Sequence, residues 1–206
     1  MRVLAGHRMF LRAVARRAAV LAPLLFLFFM FSAFAEEQPD VAYDTLVIVH
    51  FPSPACSAFW PVLKSELERS ETPKLLSGSA RWITRDEFQK GMEFKRGYEI
   101  LLQGDCTMAA PSTSQEPPGG ALGWVLMVND QIQPFVYVDC DRVRQMLRRD
   151  LRDKTVAERR RILARAVSRI VVHEMTHIVT QSSLHAASGL QKAHVSSSDL
   201  LAYKTD

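Results

Sequence analysis

Residues 155–180 read TVAERRRILARAVSRIVVHEMTHIVT, and this stretch decides the fold. Thr155 followed three residues later by Glu158 is a capping box, a pairing that closes the first turn of a helix. Ile162, Leu163, Ala166, Val167 and Ile170 then recur at helical spacing, so the segment predicts one long helix to about Thr180 with an apolar stripe. The stripe runs into His173-Glu174-Met175-Thr176-His177, the pattern H-E-x-x-H. On a helix the two histidines stand one turn apart on the same side, so both imidazoles can reach one metal ion. Glu174 between them is placed to take a proton from water at that ion.

A catalytic zinc takes three protein ligands plus water, so a third ligand is needed downstream. Four of the six histidines fall in the last 34 residues, at 173, 177, 185 and 194. No glutamate occurs after Glu174, which removes the class of H-E-x-x-H enzymes that takes its third ligand from a later glutamate. The longer pattern H-E-x-x-H-x-x-G-x-x-H would put glycine at 180 and histidine at 183, where this chain has Thr180 and Ser183. The available donors are His185, His194 and Asp199, and spacing alone leaves all three open. His185 needs the helix to end, with Ser182-Ser183 as the expected stop, and the chain to turn back once. His194 needs a longer excursion through Gly189, and Asp199 would supply oxygen instead of nitrogen. His194, Asp199 and Tyr203 are also candidates for orienting a ligand or for stabilising an oxyanion. His50, at the end of an apolar strand, reads as a packed or surface histidine.

Upstream of the helix the chain alternates strands and helices. Asp44–Phe51 predicts a buried strand, Phe59–Ser70 a short helix behind Pro61, and Tyr98–Gln103 another strand. Thr84 and Glu87 form a second capping box that predicts a helix from about Arg85. Residues 107–120, with three prolines and two glycines, are a loop. Leu122–Val128 and Ile132–Val138 flank Asn129-Asp130-Gln131 as a hairpin, and Pro134, lacking an N–H, gives the second strand an open or edge side. From Asp141 a helix buries Val143, Met146, Leu147 and Leu151, leaving Arg144, Arg148, Arg149 and Arg152 as a solvated face.

Residues 1–35 are unlike the rest. A basic stretch ending at Arg16-Arg17 meets fourteen apolar residues, Ala18 to Phe31, and then Ser32-Ala33-Phe34-Ala35, an A-x-A cleavage pattern for an export signal. An uncleaved anchor through residues 18–35 is the alternative, and the paired arginines allow either a general or a twin-arginine export route. The mature domain is then 36–206. Five of the 26 basic side chains lie in the leader with no acid, so the remaining 21 face 22 acids. The basic pI of 9.1 thus belongs to the leader, which removes the case for a nucleic-acid partner. Cys56, Cys106 and Cys140 match no zinc or C-x-x-C spacing and read as one disulfide plus a thiol, or as buried thiols.

The stretch HEMTHIVTQSSLHAASGLQKAHVSSSDL, residues 173–200, resembles small exported bacterial zincin-like proteins related to the metzincins. In that group a histidine follows H-E-x-x-H after about seven residues, then a Gly-Ile/Leu-Met turn and a segment ending in Asp-Leu. Here His185, Gly189-Leu190 and Asp199-Leu200 match in order, and the strand ending at Pro134–Cys140 is similar too. Gln191 departs from the pattern, standing where the relatives carry the methionine that underlies the metal. The resemblance implies an α+β, zincin-like fold: a mixed β-sheet packed on a long active-site helix, with substrate along an edge strand. It also implies one zinc held by His173, His177 and His185.

The sequence therefore leads to an exported, single-domain, zinc-dependent peptidase-like hydrolase acting on peptides or proteins, with Glu174 as general base. Two alternatives stand beside it: a zinc-binding envelope protein of the same fold without turnover, and a structural envelope protein that binds no metal.

Overall fold

Among residues 43–70, 72–76, 78–108 and 120–202, which the computed structural model describes, the apolar run after Asp44 forms strand β1 (Tyr43–His50). The leader, most of the 107–120 loop and Tyr203 lie outside these residues. A 3₁₀ turn (Pro54–Phe59) opened by its proline leads into helix α1 (Trp60–Arg69) and the single-turn α2 (Thr72–Leu75). Strands β2 (Ala80–Thr84) and β3 (Phe94–Gln103) follow, then the hairpin β4 (Gly123–Val128) and β5 (Gln131–Asp139). Helices α3 (Cys140–Met146) and α4 (Arg148–Leu151) precede the long α5 (Val156–Thr180), and α6 (Ser197–Leu201) ends the described chain.

The five strands make one mixed sheet in the order β2-β1-β3-β5-β4. All neighbours are parallel except β4, which runs antiparallel to β5 and forms an edge. The hairpin turn is built on Asn129 and Asp130, both at positive φ (49° and 59°), the geometry that matches the natural twist of a two-residue hairpin. One sheet face carries Val47, Val49, Ile100, Val136 and Val138 into a common core with Phe59, Leu63 and Leu67 of the first helical segment and Leu163, Val167, Val171 and Met175 of α5. Among the described residues the opposite face carries a smaller cluster, Leu46, Ile48 and Ile83, packed with Phe88 and Met92. The result is a two-layer α/β domain in which α5, the longest element, lies across the sheet with its apolar stripe inward.

Several expectations are met and several are corrected. The Thr155–Glu158 capping box forms, with the Thr155 N–H donating to Glu158 Oε2 at 2.8 Å, and contributes about 1 kcal/mol to helix initiation. The Thr84–Glu87 box also forms, yet it opens only a three-residue 3₁₀ turn, because Phe88 is already extended (ψ 122°). Local capping without a following apolar stripe does not sustain a helix. Pro134 has an open side, but only locally: β5 pairs with β3 from Phe135 onward, and opposite Pro134 the β4 register shifts between Val125 and Met127. Of the two hairpin strands, the one at the sheet edge is β4. Arg144 does not belong to the solvated face: it is buried and pairs with Asp105 at 2.7 Å and Asp141 at 3.5 Å. Met146, assigned to the buried stripe, is exposed.

The three cysteines are buried free thiols, not a disulfide and a spare. The Cys106 N–H donates to Cys56 Sγ at 3.3 Å. The neighbouring Cys140 thiol and burial push the Cys106 pKa up, and burial does the same for Cys56, so both stay protonated and inert.

Candidate metal centre

His173 and His177 project from one side of α5, with their Nε2 atoms 3.1 Å apart. Each ring is fixed by its other nitrogen. His173 Nδ1 lies 2.8 Å from the Leu190 carbonyl oxygen, and His177 Nδ1 lies 2.6 Å from that of Ser182. A carbonyl only accepts, so we assign the proton of each ring to Nδ1, which leaves both Nε2 atoms as bare acceptors in the neutral form. Two lone pairs facing each other at 3.1 Å repel, and a cation between them turns that repulsion into coordination. Protonating a ring is the other escape, and burial opposes it by lowering the His173 pKa, although the Leu190 carbonyl pulls the other way.

The third ring arrives from beyond the helix. Gln181 takes a left-handed conformation (φ 50°, ψ 37°), and the Ser182 N–H donates to the His177 carbonyl at 3.3 Å, so the chain folds back beside the histidines it has just left. The turn falls at Gln181, one residue before the expected Ser182-Ser183 stop. The Gln181 side-chain amide donates to the Ile132 carbonyl at 3.0 Å and accepts from the Ile132 N–H at 3.2 Å, which ties the end of α5 to the start of β5. His185 then stacks near His173, ring centroids 5.2 Å apart, and stands 4.9 Å from His177. The donor atoms of His173, His177 and His185 all lie within 4.8 Å of one another, a cluster able to ligate one metal ion. His177 is buried, His173 half-buried and His185 exposed, so the cluster is open on the His185 side.

Glu174 is buried on the same helix, and desolvation pushes its pKa up to about 7. The first residue of the edge strand lies against it: a Cβ on Gly123 would sit 2.5 Å from Ile170 Cγ2 and 3.3 Å from Glu174 Cγ, so only glycine admits this approach. A cleft of about 630 Å³ opens here, bounded by Gly123, Glu174, the three histidines and His194.

The remaining candidates take other places. The loop from 186 to 191 is closed by the Ala186 N–H donating to the Gln191 carbonyl at 2.8 Å, with Gly189 at φ 76°. The Gln191 side chain donates to Thr176 Oγ1 at 2.9 Å, a polar tie to α5. The Asp199 carboxylate pairs with Lys192 at 2.7 Å and caps α6 through Ser196, and these bonds hold it well below the usual carboxylate range. His194 lines the cleft, His50 pairs with Glu99 at 2.8 Å, and Tyr203 lies outside the described residues. Sequence reasoning missed the Ser182 and Leu190 carbonyls, the Gln181 clamp and the Gly123 approach. Of these only the glycine carries a signal, as a strand-opening Gly inside an apolar run.

No family model, curated protein or solved structure matches this chain.

Proposed function

We propose that the chain is a zinc-dependent, zincin-like peptidase, with His173, His177 and His185 as ligands and Glu174 as general base. The observation that carries this reading is the pair of Nε2 acceptors held face to face by two backbone carbonyls, with a third imidazole beside them. Three neutral imidazoles are a donor set that suits zinc, and a carbonyl partner on the far nitrogen of a ligating ring is the usual means of fixing its tautomer. The mixed sheet with an antiparallel edge strand beside the helix also supports it.

Bound zinc would supply Lewis-acid polarisation of a peptide carbonyl and make water more acidic. Glu174 then does the proton work. Its buried carboxyl is half-ionised near neutrality, and a nearby cation favours the ionised form, so it accepts the proton of the attacking water. The same carboxyl returns a proton to the departing amine nitrogen, so the two product ends leave with protons balanced. The edge strand β4, pairing with β5 on one side only, offers backbone groups against which an extended peptide can lie.

A metal-holding protein without turnover is the second reading. It is favoured by Gln191, which spends its side chain on Thr176 where the resembling proteins carry methionine. One experiment separates the readings. Metal content by mass spectrometry on protein lacking residues 1–35 should give one zinc per chain in both the parent and Glu174→Gln. A peptide-library digest should show cleavage by the parent and background for Glu174→Gln. Zinc without cleavage in the parent leaves the binding protein, and absence of zinc ends both readings.

A further inference from the structure

On the far side of the 189–191 loop from the histidines lies a second cavity, of about 690 Å³, between α1, α2 and α5. Arg69, Lys74, Arg165 and Arg169 face it, and among the described residues that line it Glu66 is the only carboxylate. Glu66 is already engaged by Arg69 at 3.4 Å and by Arg165 at 3.5 Å. Arg165 and Arg169 stand one turn apart on α5, so two like charges share one helix face. Among the described residues the buried Nε of Arg169 has no hydrogen-bond partner, and its Nη1 donates to the Ala202 carbonyl at 3.1 Å. Its guanidinium has thus lost part of its hydration before any ligand arrives. Asp199 acts on Arg169 through its charge and is itself paired with Lys192 at 2.7 Å.

We propose that this cavity is a binding site for a phosphate group, carried on a small molecule or on a lipid headgroup. Guanidinium forks match phosphate oxygens in geometry, and a group of nearly two negative charges with three acceptor oxygens suits an excess of three positive charges better than a single carboxylate does. The volume exceeds what a bare phosphate needs, and Val172, Leu190 and Ala202 give the remainder an apolar wall for the rest of the molecule. This cavity shares Leu190 with the histidine cleft but none of the three histidines, so the proposal does not rest on the metal reading.

Calorimetric titration of the whole chain with inorganic pyrophosphate, and with dihexanoyl phosphatidic acid below its micelle concentration, tests this. We expect saturable binding at one site per chain. Arg169→Gln should weaken it by about tenfold and Lys74→Gln by about threefold, whereas Arg148→Gln, an exposed arginine on α4 outside the cavity, should leave it unchanged. Lys74 is exposed, so Lys74→Gln carries the test even if Arg169→Gln does not fold. Tighter binding of the acylated probe assigns the phosphate to a lipid headgroup, and equal or weaker binding assigns it to a soluble ester. Absence of saturable binding by both probes, or an Arg148→Gln loss as large as that of Lys74→Gln, overturns the proposal.

Discussion

The candidate metal centre has two halves built on different principles. His173, Glu174 and His177 stand on a 25-residue helix whose inner face is packed against the sheet, and their relative positions follow from helix geometry alone. His185 stands on an irregular segment among exposed residues, placed by a left-handed turn at Gln181 and a loop closed at Gln191. The helical half is held by the whole core, whereas the loop half is held by a few hydrogen bonds. The first should therefore dominate affinity and chemistry, and the second should tune them.

The sharpest way to break this contrast is to remove helical ligands. His173→Ala or His177→Ala should lower zinc affinity by more than about a hundredfold, beyond what losing a partner that merely orients a ligand costs. Competitive chelator titration measures it, and unchanged affinity in either variant would remove the site assignment.

The next effect is on stability and follows from Glu174. Its folded pKa is raised to about 7 from an ordinary 4.5, so without metal the folded chain holds a proton there that the unfolded chain releases. Stability from this group is complete below about pH 4.5 and is lost as pH rises through 7, by about 3 kcal/mol in all. Chelator-treated Glu174→Gln should accordingly melt higher than the parent at pH 8, with the gap closing toward pH 4.5. The lowered pKa of His173 acts in the opposite direction, its contribution being lost as pH falls below about 6.5, but both proteins share it and it cancels. A constant gap across pH would show that Glu174 is solvated, contrary to its burial.

The loop half gives smaller effects. His185→Ala should weaken zinc binding by more than about tenfold, and His194→Ala and Asp199→Asn by less, since the Asp199 carboxylate is occupied by Lys192 and Ser196. Loss of zinc in His194→Ala with retention in His185→Ala would exchange their roles. Smallest of all, Gln191→Met removes the bond to Thr176 and should cost about 1 kcal/mol by thermal melt while changing zinc affinity less than about threefold.

The same contrast explains what could be read from the sequence. Helix periodicity and two reciprocal caps are local, so α5 and its H-E-x-x-H face were legible, and so was the strand alternation around β1 and the hairpin. What depends on distant partners was not. Arg144 reads as a surface residue until Asp105, 39 positions earlier, is brought beside it. The Thr84 cap reads as a helix until Phe88 turns extended. Pro134 correctly marks an open stretch of β5, but the edge belongs to its hairpin partner. The two carbonyls that fix the histidine tautomers are backbone atoms, which every residue carries, so no side-chain pattern announces them.

Leu190 has two duties. Its carbonyl orients His173, and its residue borders both the histidine cleft and the arginine-lined cavity. A wall residue common to both couples the histories of the two chambers. Substitutions that reshape one wall must pass the requirements of the other, so the amino acids tolerated at position 190 are those acceptable to both. A saturation library at this codon, selected separately for metal retention and for anion binding, would return overlapping but unequal sets, and their intersection would measure how tightly the two chambers constrain each other's evolution.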